Sequence, residues 1–150
     1  MTEQEISDNK ILVAKFMGYQ LLTKKYESRT YNSSNEFYYE LNEGEIVCDE
    51  NGNEVNFYND ESLYSLEDIP FNTWDVLMEV VEKIEFLGFN TFINYDINIR
   101  DNKKHICQIS DHIHANYPYI YIRGVDKITS VYMAVVEFIK WYTTIEDESK

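Results

Sequence analysis

Between residues 72 and 89 the apolar positions recur with the period of a helix. At 100° per residue, Trp74, Leu77, Val80, Val81, Ile84 and Leu87 gather on one side, with Asp75, Glu79, Glu82 and Lys83 opposite. Asn72 followed three residues later by Asp75 marks a start, and Gly88 marks a stop. The spacing predicts an amphipathic core helix. A shorter one is predicted over 8–17, opened by Ser7 or Asp8, ended at Gly18, and striped with Ile11, Leu12 and Phe16. A third runs from Lys127 to Thr143 behind the cap Asp126, with Ile128, Val131, Val135, Phe138, Ile139 and Tyr142 facing a core. On that last helix Met133, Ala134 and Trp141 fall outside the stripe. Either loops cover them, or Met133 and Trp141 form a contact face for a partner or a second copy.

Elsewhere the period shortens to two. Phe37, Tyr39 and Leu41 alternate with polar neighbours, and Glu45–Asp49 and Glu54–Tyr58 flank Asn51-Gly52, a hairpin signal. Residues 92–99 place Ile93, Tyr95, Ile97 and Ile99 on one face, the turn Asp101-Asn102-Lys103 follows, and Ile106–Ser110 and Tyr119–Arg123 complete three strands. Residues 19–35 show no strong pattern and read as a polar connector, with Asn32-Ser33-Ser34-Asn35 as a loop. Residues 59–71 read as acidic loop, and Glu146-Asp147-Glu148 as a frayed tail. Helix, strands, helix, three strands, helix describes an α+β chain. The short connections favour antiparallel pairing, and the stripes favour one sheet sandwiched between helices in α-β-α layers. At 150 residues the expectation is a single domain over 1–150, with an acidic hairpin region at 36–68 between the first and second helices.

Charge changes this picture most. The formal net charge is −14, yet residues 30–82 hold fourteen acids and no lysine or arginine, while the remainder is neutral. Such a surface disfavours nucleic acid and anionic membranes, and favours a protein partner, a basic one first. Outward residues two apart on a strand lie about 6.6–6.8 Å apart, near two DNA rises. Glu40, Glu45, Asp49 and Glu54, with Tyr38 and Tyr58 among them, could therefore imitate a row of phosphates for a nucleic-acid-handling enzyme. The plainer alternative is a solvated, solubilising face.

Three blocks, Asn9–Gly18 (NKILVAKFMG), Trp74–Glu85 (WDVLMEVVEKIE) and Asp126–Tyr142 (DKITSVYMAVVEFIKWY), together resemble small phage and prophage proteins grouped as the phage ABA sandwich domain. The resemblance implies a sheet between two helical layers and supplies no catalytic motif. The acidic region lies outside the matching blocks.

Candidate chemistry is sparse. His105 with Cys107, and His112 with His114, are spaced to share a strand face, so a zinc site or metal-dependent enzyme is the alternative to a binding protein. The bland reading is exposed histidines near a strand end. Residues 49–60 lack the glycine and glutamate positions of a calcium loop, and no P-loop, GxGxxG, GxSxG or HExxH occurs. No cofactor is expected. The two cysteines fit a reduced protein better than a disulfide framework. The polar start MTEQEISDNK is not a targeting segment, and no run of 18 apolar residues exists, so a cytoplasmic protein of a bacterial host cell is expected. The favoured reading is a non-catalytic, phage-encoded protein that binds another protein, its most specific form being inhibition of a basic nucleic-acid-handling or defence protein through 36–68.

Overall fold

Thr2 opens the first helix, α1 (Glu3–Phe16), in a capping box: its hydroxyl accepts the Glu5 amide at 3.1 Å, and its own amide donates to the Glu5 carboxylate at 2.7 Å. The helix thus starts five residues before the expected Asp8, because the cap lies in the polar lead rather than at the first apolar stripe. α2 (Trp74–Phe86) and α3 (Lys127–Glu148) follow, and α3 continues through the tail expected to fray. Asp126 does cap α3, accepting the Thr129 amide at 2.8 Å. Gly18 and Gly88 take φ of +83° and +101° just beyond α1 and α2, as the stop signals require. This computed structural model describes residues 1–57, 63–111 and 120–148. None of its helices is long and apolar enough to cross a membrane.

Among the described residues the fold is α+β, with three α-helices and two antiparallel sheets. It divides into two compact units: Met1–Met17 with Pro70–Lys150, and Gly18–Ile69. The inserted segment therefore begins well before residue 36.

In the helical unit, β3 (Phe89–Tyr95), β4 (His105–Asp111) and β5 (Ile120–Gly124) form an antiparallel sheet with β4 central. Ile93, Cys107 and Ile122 stand in one row of the register, and Thr91, Ile109 and Ile120 in the next, so all six share a face. α3 packs against β4 and β5, α2 against β3, α2 touches α3, and α1 packs on α3. Helices that touch one another cannot be separated by the sheet, so all three gather on one side. On the opposite face Phe92, Asn94, Tyr121 and Arg123 are exposed around Ile106, which is buried between Asn94 and Arg123. This corrects the expectation of helices on both faces. Its cause lies in α3, where Ser130, Val131, Ala134, Val135, Val136, Phe138 and Ile139 are all buried, an apolar arc far wider than one stripe. That arc gives α1 a seat on a helix instead of on the far side of the sheet. Phe16 of α1 meets Phe138 and Tyr142 edge-on at 6.3 and 6.2 Å, and Phe89 meets Phe138 at 4.8 Å. Lys83 donates to the Phe16 carbonyl at 2.5 Å and lies over its ring, tying α2 to the end of α1. The strand expected at 92–99 stops at Tyr95, because Asp96 turns the chain by accepting the Asn98 amide at 2.9 Å. Ile97 is left 73% exposed.

In the inserted unit, the supposed connector is a strand. β1 (Gln20–Tyr31) pairs along its whole length with β2 (Phe37–Cys48), and the expected Asn32–Asn35 loop joins them. The chain then turns at Asp49–Asn53 and makes a single bridge between Cys48 and Glu54, rather than the full second hairpin expected. Val47 bonds both Val55 and Leu63 through its backbone, and Ile46, Val47 and Cys48 are buried. The unit's core therefore sits at the base of the ribbon.

Candidate functional site

Register decides what the ribbon presents. Opposed residues share a face, and faces alternate along each strand. On one face, counted from the tip, stand Tyr31 with Phe37, Arg29 with Tyr39, Glu27 with Leu41, Lys25 with Glu43, and Thr23 with Glu45. The outer rows are open: every residue from Tyr31 to Leu41 is exposed, with Tyr31 at 60%, Phe37 at 50%, and Tyr39 and Leu41 each at 66%. The cluster is nonetheless ordered within itself. Phe37 meets Tyr31 at 6.5 Å and Tyr39 at 6.1 Å, both edge-on, and the Arg29 guanidinium lies 4.0 Å above the Phe37 ring. The other face offers Tyr38, opposite Thr30, as its exposed aromatic.

The same register breaks the expected row of carboxylates. Glu40 and Glu45 are five apart on one strand, so they point to opposite faces. Glu40 accepts a long bond from the Thr30 hydroxyl at 3.4 Å. Asp49 lies beyond the strand, and its carboxylate accepts the Asn51 and Asn53 amides at 2.9 and 3.0 Å, which makes it the organiser of a turn. Glu54 is exposed across the bridge from Cys48, and Tyr58 lies outside the described residues. Moreover, Lys24, Lys25 and Arg29 all belong to β1 and stand beside the acids of β2, with Lys25 directly opposite Glu43. A run that is purely acidic in sequence is therefore mixed in space.

The remaining candidates are absorbed by the helical unit. Trp141 is half-buried among Phe89 at 5.9 Å, Phe138 at 5.9 Å and Tyr142 at 6.4 Å. Met133 is half-buried in a groove with Met1, Asp8 and Asn9 of the α1 side. A helix, rather than a loop, thus covers that flank of α3. His105 rests 5.0 Å from the Tyr95 ring, while Cys107 is fully buried and its thiol is pushed up to about 12 by desolvation, so it is neither thiolate nucleophile nor ready ligand. His112 and His114 lie outside the described residues. Among the described residues no three His, Cys, Asp or Glu side chains come together as a metal site, and both cysteines are free. Compared with protein-family models, curated proteins and solved structures, the chain matches none.

Proposed function

We propose that this chain is a non-catalytic protein-binding module and that the outer β1–β2 ribbon is its contact element. One observation carries the reading: Tyr31, Phe37, Tyr39 and Leu41 stand together on one ribbon face, each half or more exposed. Isolated two-stranded ribbons are marginal in water, and clustered exposed aromatics are the composition of interface centres rather than of solvated surfaces. The acids of β2 serve as a charged rim that steers a partner and contributes little to affinity. A phage or prophage origin is a separate proposal, resting on the three helical blocks alone, since the helical unit does not repeat the two-sided layering that the resemblance implies.

A photo-crosslinking side chain in place of Tyr39 tests the assignment, with the same group in place of the exposed Glu79 on α2 as control. Irradiation should give a discrete protein adduct at 39 and none at 79. Equal labelling at both positions, or none at 39, would remove the ribbon as the contact element.

A further inference from the structure

Apart from the ribbon, we infer that the helical unit holds a binding site for an amphipathic monoanion, a medium-chain carboxylate, in a cleft near the C-terminal ends of its three helices. The cleft has a volume of about 380 Å³, at the lower end of the roughly 300–1,000 Å³ that small-molecule sites occupy. Leu12 and Phe16 of α1 and Leu87 at the end of α2 give it an apolar wall. Its charged groups are Lys15, Lys83 and Glu146, two cations against one carboxylate. That carboxylate already receives the Tyr142 hydroxyl from one turn earlier on α3. The lysines are not so matched. Among the described residues neither Lys15 nor Lys83 has a carboxylate within ion-pair distance, in a chain with 27 acids. Lys83 instead donates to the Phe16 carbonyl and lies 4.9 Å over the Phe16 ring. These contacts fix its ammonium at the cleft and offset the negative end of α1, which would otherwise repel an anion. Its other N–H groups remain for a ligand. The lining therefore carries one net positive charge beside an apolar wall. A carboxylate head at Lys15 and Lys83 balances that charge, and an alkyl tail along Leu12, Phe16 and Leu87 leaves water. A phosphate dianion would overshoot the charge, and a basic ligand would meet two lysines.

The probe is octanoate, titrated calorimetrically into the full chain, with 1-octanol as its uncharged counterpart. Octanoate should bind one to one, and octanol roughly fivefold more weakly or less. Lys15→Gln should weaken octanoate roughly fivefold and leave octanol unchanged. Leu87→Glu sets a carboxylate against the head and should weaken octanoate roughly tenfold or more. Both substituted residues are exposed, so helical ellipticity should match wild type and separate lost binding from lost folding. Absence of octanoate binding, or equal affinity for octanol, would overturn the anion site. Binding that neither substitution weakens would put the ligand elsewhere and overturn it too. None of these outcomes bears on the ribbon, which belongs to the other unit.

Discussion

The two antiparallel sheets obey the same pairing rules and meet different fates. In the three-stranded sheet, Cys107 and Ile109 of β4 have zero exposure, because α3 lies against the strand and completes a layer. In the outer ribbon, Phe37, Tyr39 and Leu41 alternate just as regularly and meet solvent. Strand alternation therefore announces a face, while only a second layer turns that face into a core. Where the layer is missing, apolar side chains add little to folding and remain available for association.

The contrast is broken most forcefully from the helical side. Phe138 is fully buried and touches the rings of Phe16, Phe89, Trp141 and Tyr142, so it joins α1, β3 and α3. Phe138→Ala should cost about 3–5 kcal/mol, the lost transfer energy plus the cavity left behind. Urea unfolding followed by helical ellipticity would measure it. A loss below about 1 kcal/mol would mean that the aromatic cluster is not the keystone of the helical unit.

How much of this was readable in advance follows the same division. α2 was legible because its polar and apolar residues separate cleanly by face, and Leu77, Val80, Val81 and Ile84 are buried as that separation requires. Trp74 was not: it opens the helix and remains 38% exposed. β4 and β5 were legible through Cys107, Ile109, Ile120 and Ile122, which alternate on the face turned toward the helices. β1 was hidden, because Thr23, Lys25, Glu27 and Arg29 make one of its faces polar and exposed, leaving no apolar alternation to mark it. Missing β1 also misplaced the charge, since the bases that stand beside the acids of β2 come from that strand. The site was half visible: Tyr38 was singled out, Phe37, Tyr39 and Leu41 read as strand alternation, and Tyr31 fell in the supposed connector. Whether such side chains are covered depends on a second layer, which alternation within a strand does not announce.

Acid should separate the units next, with a smaller effect. Asp126 is held below the usual carboxylate range by the Thr129 amide it accepts, Asp101 by the Arg123 guanidinium at 2.5 Å, and Glu5 by its bonds to Thr2. A carboxylate whose folded pKa is depressed contributes stability that is full above its unfolded pKa and lost as pH falls through the folded value. All three lie in the helical unit. Its melting temperature should therefore fall between about pH 5 and pH 2, the window below ordinary carboxylate pKa values. All three groups are exposed, so salt should shrink the effect. Asp126→Asn keeps a cap acceptor without the titration and should flatten the slope. An unchanged slope would mean that the cap of α3 does not contribute to the acid response.

The smallest expected effect on stability bears hardest on function. Tyr39→Thr with Leu41→Thr removes two large apolar side chains while keeping strand preference. If these groups were packed, their loss should resemble that of Phe138, several kcal/mol. Exposed as they are at 66% each, the double variant should unfold within about 0.5 kcal/mol of wild type. Urea titration of the purified chain at low concentration would read the difference. Under the same change, association through the ribbon should be lost, because those side chains form the centre of the proposed contact face. A large stability loss in the monomer would show that Tyr39 and Leu41 belong to the folded core after all. A negligible one, joined to lost association, would place their energy where the exposed ribbon puts it, between molecules rather than within one.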